Sequence, residues 1–371
     1  MGKAHPLSTM AIDPATEGTI NRIAVEIGRR QRRRWLAILV MAAAAAAVTA
    51  GLSLGAVGIP FVEVWAILSG VHAPADAVHA MVVMDLRLPR VITGLLIGAS
   101  LALSGAALQG LMRNPLADPG LVGVASGAAL GAVAVIVFAS AWLAGWPGPV
   151  QRIALPLAAF GGGLATTLLI YRLAHRGSHT DIALLLLAGI AVNAVAGAVI
   201  GFAVFVSNDQ QLRDLQFWML GSLSGISRDG LLPPLAMMAV SVLGLWRLAG
   251  LLNGLSLGER DAHYLGFDTE RSKRILVLLI ALGVGAGVAV AGAIGFVGLI
   301  VPHLVRVVLG TDHRFVMPAS ALLGGALLVC ADTVARLVVL PAELPIGIIT
   351  SAIGGPFFLM LLIRHRRELA S

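Results

Sequence analysis

Only two lysines occur in the chain, Lys3 and Lys273. Nucleotide hydrolysis at a phosphate-binding loop needs GxxxxGK[ST], where backbone N–H groups cradle phosphate and the lysine meets the terminal phosphates. Lys3 is followed by Ala4, and Lys273 stands in Ser272-Lys273-Arg274, so neither completes that pattern. There is no HExxH zinc motif. The single cysteine, Cys330, excludes an internal disulfide, a cysteine-rich zinc site and a two-cysteine haem attachment. Ionisable residues inside apolar stretches are few: Asp332 with Arg336, and His303 with Arg306. They fall near expected helix ends, unlike the mid-depth chains of Asp, Glu and His that charge-coupled transporters place in the bilayer. One stretch does concentrate charge. LGERDAHYLGFDTERSKR (Leu257 to Arg274) holds eight of the 45 charged residues: Glu259, Arg260, Asp261, Asp268, Glu270, Arg271, Lys273 and Arg274. The chemistry on offer is ion pairing and docking. The chain reads as a transmembrane conduit whose energy comes from elsewhere, with coupling through neutral sodium sites left open.

The elements around that island are apolar. Of 371 residues, 58 % are hydrophobic and 12 % charged, against about a quarter charged in an ordinary soluble protein. Windows long enough to span a hydrocarbon layer of about 30 Å fall at 36–57, 88–112, 120–141, 153–174, 182–206, 231–250, 274–292, 294–310, 316–340 and 346–363. The expectation is an all-α polytopic membrane protein of about ten helices, with a loosely defined boundary between the seventh and eighth. RRQRRRW (Arg29 to Trp35) before the first window resembles the start of a signal peptide. The window is span-length, nearly 30 polar residues precede it and further spans follow, so it reads as a retained first helix.

Alternating the spans from an inside start divides the 26 Lys and Arg residues twenty inside to six outside. Cytoplasmic loops carry the excess of Lys and Arg, so both termini and the island are expected in the cytoplasm. The net charge of +7 then reflects topology, not nucleic acid. Domain boundaries follow: a cytoplasmic segment 1–35, a transmembrane domain 36–365 containing the island at about 256–273, and a cytoplasmic tail 366–371. Small residues recur at four-residue spacing in Gly94/Gly98, Gly123/Gly127/Gly131 and Gly197/Gly201, which lets helix backbones approach closely in lipid.

Within the island, Ser256-Leu-Gly-Glu259 has the S-x-x-E pattern of a capping box. Two helical turns can follow, with Ala262 and Leu265 on a small apolar face. Gly266 can stop that helix with φ > 0, and Asp268 can cap the next one. A solvated interhelical loop and a docking helix for a cytoplasmic partner both fit this pattern.

The island resembles the cytoplasmic coupling segment of permease subunits in type II ABC importers, the family that imports iron chelates, haem and cobalamin. The resemblance extends to Arg87-Leu-Pro-Arg90, SGAALQGLMRNPLADPGLVGVASGAALG (Ser104 to Gly131), GFVGLIVPHLVR (Gly295 to Arg306), ADTVARL (Ala331 to Leu337) and PAELPIGIITSAIGGP (Pro341 to Pro356), in that order. It implies a homodimer of ten-helix subunits with the pathway along the dimer axis. It also implies two cytoplasmic ATPase subunits, one periplasmic binding protein and a place in the bacterial inner membrane. ATP and Mg would be used by the ATPase, with no cofactor or metal bound by this chain. Gly258, Glu259, Ala262, Leu265 and Gly266 would contact the ATPase. Arg87, Arg90 and Arg336 would receive carboxylates of the binding protein, although Asp332 could simply pair with Arg336. Asn114, Leu116, His179 and Thr180 would form the cytoplasmic gate, with His179 bulkier than the small polar residues usual at its place.

SNDQQLRDLQFWMLGSL (Ser207 to Leu223) and GERDAHYLG most resemble the haem importers of that family. Haem is therefore the expected substrate, ahead of a ferric siderophore or cobalamin. His72 and His79, outside in this topology, could touch an iron porphyrin, although lone loop histidines are usually solvated.

Overall fold

Each expected window becomes helical in the structure, a computed structural model that describes residues 14–70, 77–177, 179–226, 228 and 230–370. The side chains of residues 14–30, 32, 33, 176, 179, 362 and 364–370 lie outside that description. In chain order the elements are α1 Pro14–Ser53, α2 Phe61–Ser69, α3 Ala77–Met112, α4 Val124–Leu143, α5 Gly148–Ala174, the two-residue strands β1 His175–Arg176 and β2 His179–Thr180, and α6 Ile182–Val206. Then come α7 Asp209–Leu220, α8 Leu232–Arg247, α9 Ala249–Leu257, α10 Glu259–Tyr264, α11 Thr269–Ala291, α12 Val297–Leu309, α13 His313–Val338 and α14 Ile346–Ala370. Among the described residues seven helices are long and apolar enough to cross a membrane, or eight if α8 and α9, bent by 48° at their junction, count as one. The apolar segments Val297–Leu309 and Ile346–Leu361 are shorter.

Three boundaries differ from the sequence reading. The first helix begins at Pro14, not near Leu36, because no proline interrupts the polar run before the apolar one. The second span reaches back to Ala77 through a π-helical stretch, Val82–Arg87, that ends against Pro89. Proline supplies no N–H, and a widened turn just before it fits that gap in the backbone ladder. The break between the seventh and eighth spans covers residues 292–296, with Gly292 at φ 73° and Phe296 at φ 68°.

The centre of the bundle is built on α3 and α11, whose Ala102, Ala106, Leu108, Leu276, Ile280 and Ala281 are inaccessible to solvent. Glycine lets their neighbours reach them. A Cβ on Gly98 would lie 2.2 Å from the Gly324 carbonyl oxygen of α13, and one on Gly105 would lie 1.8 Å from that of Gly298 in α12. Gly127 and Gly131 of α4 meet the Gly162 and Ala158 carbonyls of α5 in the same way, at 2.4 and 2.0 Å. The third expected pair behaves otherwise, since nothing lies within 4 Å of a Cβ on Gly197 or Gly201. Helix α6 buries only Leu185, Gly189, Ala196 and Ala203, a single stripe, and leaves Leu187, Ile190, Val195, Phe202 and Phe205 exposed.

Candidate functional site

Two glycines shape the island. α9 runs on through Ser256 to Leu257, and Gly258, at φ 139° and ψ 155°, turns the chain into α10. The expected capping box therefore does not form. The Ser256 hydroxyl donates to the Asn253 carbonyl inside α9, and Gly258 at the N-cap offers no side chain. At the other end, Gly266 N–H donates to His263 O and Phe267 N–H to Ala262 O, with Gly266 at φ 91°. These bonds satisfy the last carbonyls of α10 and stop it. Asp268 then accepts from Arg271 N–H at 3.0 Å and caps α11, as expected.

The two faces of α10 differ. Ala262 is inaccessible, seated against Gly254 of α9, where the Phe267 ring also packs. Its side chain is thus a seat for the helix, not an outward contact. Tyr264 and Leu265 point away at 86 % and 62 % exposure, with Leu257 beside them at 66 %.

Glu259 turns inward. Its carboxylate accepts from Lys273 Nζ at 2.7 Å, and Lys273 is 1 % exposed. Lys273 also donates to Glu270 at 2.9 Å and to the Thr180 carbonyl at 3.3 Å. Glu270 accepts from the Thr180 N–H at 3.0 Å. The Thr180 hydroxyl lies 3.0 Å from both that carboxylate and the Tyr171 hydroxyl. A carboxylate only accepts, so the threonine proton goes to Glu270 and tyrosine donates in turn. A lysine nearly sealed from water thus keeps its charge beside two carboxylates, the arrangement that burial of an ammonium requires. Thr180, 4 % exposed, ends the β1–β2 turn that leads into α6. The side chain of His179, its expected companion, lies outside the described residues.

A second link leaves α9. Asn253 donates to Asp312 at 2.7 Å and accepts, on one oxygen, from the His313 N–H at 2.8 Å and His313 Nδ1 at 2.9 Å. That fixes the imidazole proton on Nδ1 and leaves buried Nε2 without a partner, 2.8 Å from where a Gly110 Cβ would sit. Four residues on, Asn114 forms a tight turn in which its side chain accepts from Leu116 N–H at 2.9 Å. Leu116 is 39 % exposed. Asp118 caps the short 3-10 helix that follows through Gly120 N–H at 2.8 Å, and burial raises its carboxyl above the ordinary range. No hydrogen bond joins the Asn114 turn to Thr180 among the described residues.

The opposite end of the bundle holds the three arginines. Arg90 grips Asp332 at 2.7–3.0 Å and Glu343 at 3.0–3.1 Å. Arg87 donates to the carbonyls of Leu52, Ser53 and Val57 at the end of α1. Arg336 donates to those of Gly51 and Leu54 at 3.1 and 3.2 Å. The Arg336–Asp332 pair forms too, at 3.2 Å, as an ion contact without hydrogen-bond alignment at Nε. Arg87 and Arg336 are 5 % and 7 % exposed. To receive a partner's carboxylates, as expected, these intrachain bonds would have to open. His79 bonds Glu63 at 2.8 Å, and His72 lies outside the described residues.

Residues 31–364 match the FecCD transport family. The chain belongs to that family. The hemin transport system permease protein HmuU of Yersinia pestis is 42 % identical over 344 residues, 92 % of this chain and 98 % of the relative. The cobalamin import system permease protein BtuC of Halobacterium salinarum is 48 % identical over 282 residues, covering 76 % and 73 %. The vitamin B12 import system permease protein BtuC of Vibrio cholerae is 43 % identical over 292 residues, covering 78 % and 85 %. A solved structure of a metal-chelate type ABC transporter in an inward-facing conformation superposes with a TM-score of 0.77 at 29 % identity, covering 89 % of this chain and 99 % of that one.

As a FecCD permease the chain is a multi-pass membrane subunit of an ABC importer, a class in which a separate subunit hydrolyses ATP. Four residues of its site were missed in the sequence reading as site residues: Lys273, Glu270, Asn253 and His313. Lys273 had a signal, being the second of two lysines and the one beside acidic residues. Asn253 and His313 had none, because their partners are about 60 residues apart in sequence.

Proposed function

We propose that this FecCD permease moves haem, delivered by a periplasmic binding protein, across the bacterial inner membrane. The observation that carries the coupling role is the exposed Tyr264 and Leu265 pair on a helix fixed at both ends by positive-φ glycines and seated through buried Ala262. An exposed apolar tip on a rigidly held helix suits a groove on a partner. Two ATPase subunits would take it, using ATP and Mg. The excess of Lys and Arg on the island side supports cytoplasmic termini. The exposed apolar face of α6, with Gly197 and Gly201 open on it, supports a second copy of the chain as a packing partner. The Asn114, Leu116 and Thr180 segments, at the island end, are the proposed gate.

Haem is favoured by the hemin permease relative, which matches nearly end to end. Cobalamin is the second reading, favoured by the higher identity of the Halobacterium relative over a shorter stretch. Transport in proteoliposomes with the cognate ATPase and binding protein, comparing haem, a ferric siderophore and cobalamin, decides between them. ATP-dependent uptake of haem above the other two is expected. Uptake of cobalamin or the siderophore without haem would overturn the substrate assignment.

A further inference from the structure

The island and the turn before α6 are far apart in sequence, yet one buried ammonium joins them. Lys273 is the only described lysine, and it is 1 % exposed. Its three acceptors come from three segments: Glu259 of α10, Glu270 at the start of α11, and the carbonyl of Thr180. Glu270 holds the same Thr180 by its N–H and hydroxyl. α10 is otherwise linked to its surroundings by glycine turns and by the small Ala262 seat. A displacement of α10 thus carries the Glu259 carboxylate with it, and Lys273 follows or is left buried with one acceptor fewer. Leaving a buried charge short of a partner is costly, so the inexpensive response is for Glu270 and Thr180 to move as well.

We propose that Lys273 and Glu270 are positioning residues that make the Thr180 turn follow α10, so that ATPase motion at Tyr264 and Leu265 reaches the mouth of α6. This deepens the importer reading and rests on it. The bridge is ionic, and it reaches α10 through the Glu259 carboxylate. Lys273 is sealed from solvent and Glu270 lies on α11, so neither belongs to the exposed Tyr264–Leu265 tip. Weakening it should therefore separate ATP use from transport without removing either partner's binding surface.

The test uses the assembled complex in lipid. Glu270→Gln keeps the shape of the side chain and removes its charge. Its complex should form in normal amount and hydrolyse ATP within about twofold of the parent, while substrate moved per ATP falls about tenfold, the scale of losing a charge-assisted hydrogen bond. Lys273→Met should do the same, and Lys273→Arg should restore most of the ratio. A merely structural defect would lower uptake and hydrolysis together and leave the ratio alone; that result, or an unchanged ratio, overturns the proposal. A second readout needs no substrate. On nucleotide binding, hydrogen exchange should change in both residues 255–268 and residues 175–181 of the parent. In Glu270→Gln the change should persist in the first segment and vanish from the second. Persistence in both segments overturns the bridge. Failure of the haem assignment would show instead in the parent chain, as absent haem uptake with this exchange pattern intact.

Discussion

Replacing Gly98 by alanine tests the packing that holds the central helix. The new Cβ would lie 2.2 Å from the Gly324 carbonyl oxygen and 2.9 Å from the Gly325 Cα. Both obstacles are backbone, so no side chain can rotate away. To reach the 3.0 Å that real Cβ contacts respect, α3 and α13 must part by about 0.8 Å at this crossing. A radial gap of that size forfeits roughly a quarter to a half of each dispersion contact it opens. In lipid such packing contacts, not water exclusion, drive helix association. Overpacking of this kind costs about 1–3 kcal/mol, and a backbone obstacle puts Gly98→Ala toward the upper end. Gly161→Ala in α5 is the control, a helical glycine with nothing within 4 Å of its Cβ position and away from the α6 face proposed for the second copy. There, alanine gains up to about 1 kcal/mol of helix propensity. Thermal unfolding of the two variants in one detergent should place Gly98→Ala well below the parent and Gly161→Ala at or above it. Equal stabilities, or the reverse order, would refute the claim that Gly98 is fixed by the approach of α13.

Two further outcomes are expected. Leu265→Glu, on the exposed tip, should abolish co-purification with the ATPase while leaving the thermal transition unchanged; Ala262→Glu, at a sealed position, should lose the transition as well, and an ATPase that still binds Leu265→Glu would remove the tip from the contact. Asp332→Asn takes the one carboxylate shared by Arg90 and Arg336 from a site that is 3 % exposed at the side chain, and should cost about 3 kcal/mol, read as a lowered unfolding midpoint, with Glu343→Gln costing much less because that partner is 34 % exposed.

The windows of apolar residues were legible because lipid imposes a length and forbids unpaired backbone. The caps at Asp268 and Gly266 were legible because each uses residues within four positions of itself. The capping box failed for a local reason. Ser256 has the right type and spacing, but the helix before it does not end there, and Gly258 takes the turn instead. The Asp332–Arg336 pair could be read from its four-residue spacing, yet Arg90, 242 residues from Asp332, makes the better-aligned bonds. The same limit applies to Lys273. Its neighbour Glu270 is three residues away, but the Thr180 carbonyl that makes the bridge is 93 away. Spacing motifs also did not distinguish Gly98 from Gly197, because the motif states what a helix permits and not what approaches it.

The arginines at the end of α1 bear on how the chain is made. Carbonyls of Gly51, Leu52, Ser53, Leu54 and Val57 are met by guanidiniums that stand 30 to 285 residues later in the chain. A helix made before these arginines therefore waits for its terminus to be completed, in part by Arg87 and later by Arg336. Until then its open carbonyls have only water or headgroups to satisfy them. A nascent chain halted before α13 would carry α1 with an unfinished end, the Gly51 and Leu54 carbonyls still lacking the guanidinium that meets them in the folded chain.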